Sequence, residues 1–125
     1  MENHDNPRER KAGLVRIWRA FLYSFEGISA AVRYQAAFRQ EVLVAVILIP
    51  IALLLPVSAN GKALMVASVL LVLIVELVNS AIETVVDRIS PEYHLLSKRA
   101  KDFGSAAVLL SLVSVALIWT LVLFA

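Results

Sequence analysis

Hydrophobic and polar positions along this chain sort into two kinds of segment. Leu14, Ile17, Trp18, Phe21, Leu22, Phe25 and Ile28 recur every three or four positions, with Arg16, Arg19, Ser24 and Glu26 between them. That period predicts an amphipathic helix, over about residues 13–34, lying on a membrane surface. Farther on, apolar runs fill residues 42–59, 63–86 and 104–125, each near the roughly 20 residues a helix needs to cross a bilayer. Residues 1–12 are polar, with one proline, and are expected to form a disordered, frayed tail. The expected fold is therefore an all-α membrane protein, with one surface helix and three transmembrane helices in a single domain over residues 13–125.

Local signals refine the spans. Pro50 removes a helical hydrogen bond within the first, which predicts a kink, and Pro56 marks its exit. Ser58, Ala59, Asn60 and Gly61 read as a turn between antiparallel helices. Ser90 before Pro91 reads as a helix start, so that the third helix, or a short helix leading into it, begins ahead of the apolar run.

Composition agrees with this pattern. Sixty per cent of the 125 residues are hydrophobic, which excludes an ordinary soluble globule. The chain has no cysteine, hence neither disulfide framework nor thiolate metal site. No apolar stretch follows closely on the N-terminal charges, so a cleaved signal peptide is not expected. Of the twelve basic residues, Arg8, Arg10, Lys11, Arg16, Arg19, Arg33 and Arg39 precede the first span, and Arg88, Lys98, Arg99 and Lys101 lie between the second and third. Lys62 alone occupies the other loop. By the positive-inside rule the N-terminus and the second loop face the cytoplasm.

Against this apolar background the second span carries polar groups. Glu76 stands inside LMVASVLLVLIVELVNSAIETVV, where a carboxylate costs a few kcal/mol or more and marks a functional-site candidate. Asn79, Ser80, Glu83 and Asp87 follow it at offsets that, at about 100° per residue, share one stripe of a helix. Two carboxylates two turns apart, with a basic loop beyond them, suit phosphoryl transfer at the membrane interface. One could accept a proton from an alcohol, another could hold Mg²⁺, and the cations could hold phosphate oxygens. Asn79 and Ser80 taken alone read rather as polar contacts between helices. Lys98 and Arg99 read equally as a site for anionic lipid. Gly61 and Lys62 lack the remainder of a P-loop, and His4 and His94 stand too much alone for a zinc site.

The strings VELVNSAIETVVDR (residues 75–88), EYH (92–94), KRAKDFGSAAV (98–108) and AAFRQE (36–41), in that spacing, resemble the prokaryotic diacylglycerol kinase family over nearly the whole chain. The resemblance implies a small multi-pass enzyme of the bacterial inner membrane. It implies a homotrimer with active sites shared between subunits, moving the γ-phosphate of ATP, with Mg²⁺, to diacylglycerol. It also implies residue roles. Glu76 would be the general base and Glu83 a metal-binding carboxylate. Glu92, His94, Lys101 and Asp102 would lie around the nucleotide together with Glu83, with Arg16 and Tyr23 closing over it. Asn79 would hold the base or the substrate, and Ser24, Arg39, Gln40, Glu41 and Ser105 would border the lipid headgroup. No nucleic-acid partner is expected.

One position departs from the family pattern. Where the family usually carries a second metal-binding glutamate, this chain has Gln35, which keeps an oxygen of similar reach but loses the charge a hard cation prefers. Glu26 and Glu41 are the carboxylates that could compensate. Two other activities stand as alternatives: phosphorylation of undecaprenol by a related kinase, and a small proton-coupled transporter subunit built around the intramembrane glutamate.

Overall fold

The structure, a computed structural model, describes residues 6–125 and consists of helices joined by short connections. Four helices follow in order: α1 (Pro7–Tyr34), α2 (Ala36–Leu54), α3 (Ala59–Ile89) and α4 (Leu95–Phe124). The chain divides into two compact units, the first ending at Tyr34 and the second running from Gln35 to Ala125. Three helices, α2, α3 and α4, are long and apolar enough to cross a membrane.

Helix α1 starts earlier than the hydrophobic period suggests. Asn6 caps it, its Oδ1 accepting from Arg8 N at 3.1 Å and its carbonyl from Glu9 N at 2.9 Å. Pro7 takes the first helical position, where its missing N–H costs nothing. Residues 7–12 of the expected tail are therefore helical, and residues 1–5 of it, with His4, lie outside the described residues. The far end of α1 is Tyr34.

In the second unit, α3 packs against both α2 and α4. Its buried positions, Gly61, Met65, Ser68, Val69, Val72, Glu76, Asn79 and Ser80, recur at three- and four-residue steps and form one stripe along the helix. From α2 come Phe38, Ala45 and Ala52, spaced by seven, and from α4 Gly104 and Ser111, also spaced by seven. Small residues at such positions let membrane helices approach closely, since lipid offers no hydrophobic drive for one apolar helix to seek another. Near one end of the α3–α4 contact, Trp119 Nε1 donates to Met65 O at 3.3 Å and to Ser68 Oγ at 3.2 Å.

Two helix boundaries differ from those the sequence predicts. Residues 59–61 are not a turn but the first turn of α3, because Ser58 Oγ accepts from Gly61 N at 3.1 Å and caps the helix there. The α2–α3 connection is instead residues 55–58, which include Pro56. Likewise Ser90 is not a helix start: it ends α3, its N–H donating to Val86 O, and its Oγ accepts from Glu92 N at 3.1 Å in a local turn. Helix α4 begins at Leu95, nine residues ahead of the apolar run, with His94 as its cap. Helix α2 continues through Pro50 to Leu54.

Candidate functional site

The inner stripe of α3 changes character along its length. Toward the α2–α3 connection it is Met65, Val69 and Val72; four residues later it becomes Glu76, 6% exposed, then Asn79 and Ser80, each 8% exposed. Ser68 is a further buried polar position on this stripe, its Oγ donating to Met65 O at 2.7 Å, and burial of such groups is costly unless they are paired. Pairing within the described residues is incomplete, since Asn79 Oδ1, Ser80 Oγ and Glu41 Oε2 are buried and make no hydrogen bond. Asn79 Nδ2 reaches Glu83 Oε1, one turn on, at the long distance of 3.5 Å. The polar stripe thus has spare hydrogen-bonding capacity where a ligand's polar groups could be accommodated.

Helix α2 brings Arg39, Gln40 and Glu41 on its first two turns. Gln40 and Glu41 stand at a cavity of about 160 Å³ whose remaining walls are Val44, Leu48, Val69, Val72, Leu112 and Val115. The hollow is almost wholly apolar and is walled by residues of α2, α3 and α4. Gln35, just before α2, makes no side-chain capping bond; its carbonyl accepts from Arg39 N at 3.2 Å.

The α3–α4 connection supplies a second, polar recess of about 450 Å³. Glu92, His94, Lys101 and Asp102 all line it, together with Asp87 and Lys98. The fold therefore gathers four of the expected nucleotide residues into one place. Lys101 Nζ bonds Asp87 Oδ1 at 2.6 Å across the connection, and Lys98 Nζ bonds Asp102 Oδ2 at 2.6 Å within α4. An ammonium carries three donors, so a cation bound to one carboxylate can still reach a phosphate. His94 Nδ1 accepts from Leu96 N at 3.0 Å, which leaves ligand binding to Nε2.

Within the second unit, Glu83 and Ser105 are not among the residues that line this recess. Glu83 is half-buried on α3, one turn before Asp87. Ser105 is exposed on α4 next to the buried Gly104. Arg16, Tyr23 and Ser24 belong to α1, in the first unit. Arg16 and Tyr23 share one surface hollow of that helix with Arg19, and Ser24 Oγ donates to Ala20 O at 2.8 Å.

Among the described residues no group of three acidic, histidine or cysteine side chains is gathered to hold a metal ion. Mg²⁺ does not require one, because it is commonly held by one or two carboxylates plus substrate phosphates. A half-buried Glu83 matches that donor set. Asp87, as the partner of Lys101, and Gly104, against Asn79, are site contacts that the sequence motifs do not assign. Asp87 is signalled by its place on the polar stripe, whereas nothing in the sequence pairs Gly104 with Asn79.

Comparison with known proteins bears on this arrangement. Residues 22–123 match the family model for prokaryotic diacylglycerol kinase. The chain is 53% identical over 118 residues to a diacylglycerol kinase of Pseudomonas aeruginosa, covering 94% of this chain and 96% of that protein. It is 49% identical over 112 residues to that of Escherichia coli K12, covering 90% and 92%, and 38% identical over 119 residues to one from Helicobacter pylori, covering 95% and 92%. These helices with their buried glutamate are those of a membrane-embedded lipid kinase. The chain belongs to the prokaryotic diacylglycerol kinase family.

Proposed function

We propose that this chain phosphorylates diacylglycerol to phosphatidic acid, using MgATP at the cytoplasmic face of the bacterial inner membrane, with Glu76 as general base. Membership of the family supports the reaction. The observation that carries the assignment of roles is the buried Glu76, on one stripe with Asn79 and ahead of Glu83, in a helix able to cross a membrane.

In this reading the diacylglycerol hydroxyl lies at Glu76, with its chains in the bilayer and its headgroup bordered by Ser24, Arg39, Gln40, Glu41 and Ser105. Glu76 takes the hydroxyl proton as the oxygen attacks the γ-phosphorus; the bond to the β,γ-bridging oxygen breaks and ADP leaves. The proton then passes from Glu76 to water, and no phosphoenzyme forms. Asn79 orients the base or the substrate. Lys101 offsets phosphate charge, while Glu92, His94 and Asp102 border the nucleotide, with Arg16 and Tyr23 from α1 serving the same ligand. Glu83 would hold Mg²⁺, which supplies charge neutralisation on the transferring phosphates when bound. A homotrimer is part of the proposal, supported by family membership.

The direct test offers purified protein labelled γ-phosphate as MgATP in mixed micelles, with diacylglycerol and undecaprenol in parallel. Labelled phosphatidic acid is expected. Label on undecaprenol alone would reassign the substrate, and label on neither lipid at any Mg²⁺ concentration would overturn the kinase reading.

A further inference from the structure

Gly104 is buried on the face of α4 that meets α3, and it lies where the apolar run of α4 begins. Its backbone is ordinary helix and needs no glycine on conformational grounds, since no glycine among the described residues has a positive φ. The reason for a glycine is space. A Cβ built there would overlap Asn79 Oδ1 and come within 3.1 Å of Asn79 Cγ, and the third nearest atom, at 3.7 Å, is Asn79 Cβ. Asn79 thus accounts for all three nearest contacts, and its carboxamide fills the volume that a side chain at position 104 would take.

The other end of that carboxamide leads back into the site. Asn79 Nδ2 faces Glu83 Oε1 at 3.5 Å, while Oδ1, pressed against α4, has no hydrogen-bond partner. An amide 8% exposed, with one end satisfied only by a long bond, is not held in place by hydrogen bonding. What limits its movement is the wall behind it, and that wall is the bare Cα of Gly104.

We infer that Gly104 is a positioning residue: by lacking a side chain it seats the Asn79 carboxamide against α4 and so sets the Asn79 to Glu83 contact on which the phosphoryl-transfer site depends. The inference rests on the kinase reading for its consequence, but the contact itself does not. A methyl group at position 104 pushes the amide toward Glu83 or turns it out of the stripe. Removal of a residue that orients a ligand side chain typically costs about 10- to 100-fold in activity or metal affinity.

The test is a double-mutant cycle between Gly104→Ala and Asn79→Ala, read in micelles by kinase activity, MgATP binding by equilibrium dialysis, and thermal stability. In the native background Gly104→Ala is expected to lower kcat about 10- to 100-fold, or to weaken MgATP binding by as much. In the Asn79→Ala background, where the overlapping atoms are gone, the same substitution is expected to change binding and melting temperature by less than twofold and by no more than the error of measurement. Equal penalties in both backgrounds would mean that Gly104 serves helix packing alone and would overturn the inference, as would native activity and binding in Gly104→Ala. If Gly104→Ala fails to fold, recovery of folding by adding Asn79→Ala supports the contact, and failure of that rescue overturns it. If the unaltered protein transfers phosphate to neither lipid, the kinase reading falls, and the stability cycle still decides whether Asn79 is the group that Gly104 accommodates.

Discussion

Glu76 shows how much a single residue can reveal about a chain. A carboxylate among leucines and valines is an anomaly visible in the sequence alone, and the fold buries it on the inner stripe of α3, 6% exposed. If it is the base, Glu76→Gln keeps the shape and loses the proton acceptor. Turnover should fall by about two orders of magnitude or more, while helix content by circular dichroism and assembly by size exclusion stay unchanged; near-normal turnover would remove it from the role. Gln35 poses the converse question. It carries an oxygen but no charge, so Gln35→Glu is expected to lower the Mg²⁺ concentration giving half-maximal activity, checked by titration at saturating ATP. An unchanged midpoint would mean that position 35 does not meet the metal. Residues defined by charge or by motif are legible in this way. Gly104 is not, because its importance lies in which atom stands opposite, and that depends on the crossing of α3 and α4.

Among the elements, the three apolar helices are readable because about 20 apolar residues in a row have few other uses, while their ends are set by capping chemistry of shorter range. Asn6 and Pro7 form a standard start signal, yet the polar residues after them carry no hydrophobic period and so read as tail. His94 caps α4 through a ring nitrogen, a less familiar cap than the serine that precedes Pro91. Trp119 illustrates a tertiary link that no periodicity announces: its indole N–H spans to Met65 O and Ser68 Oγ, at 3.3 and 3.2 Å, joining α4 to α3. Trp119→Phe retains most of the ring and removes that donor. It should lower unfolding stability by about 1 kcal/mol, measured by denaturant titration in micelles, with kinase activity retained under native conditions. A loss of activity matching that of Glu76→Gln would tie Trp119 to the chemistry instead.

At the scale of the whole molecule, the distribution of charge makes an orientation argument that the helices alone do not. Lys62 is the one basic residue between the first and second apolar runs, while Arg88, Lys98, Arg99 and Lys101 cluster about the α3–α4 connection; by the positive-inside rule that asymmetry predicts a cytoplasmic basic loop, as the proposed function requires. Under the proposed function it also joins topology to catalysis, since a recess lined by Glu92, His94, Lys101 and Asp102 that takes ATP has to open where ATP is present. The absence of cysteine from the sequence makes the point testable with single substitutions. In spheroplasts, a membrane-impermeant maleimide should label Asn60→Cys without permeabilisation and Ser97→Cys only after it. Ser97 lines the polar recess, so MgATP should slow labelling of Ser97→Cys in permeabilised membranes and leave that of Asn60→Cys unaffected. The reverse pattern of access would place the recess outside the cell, away from its nucleotide, and the same experiment would then count against both the orientation and the assignment of the recess to ATP.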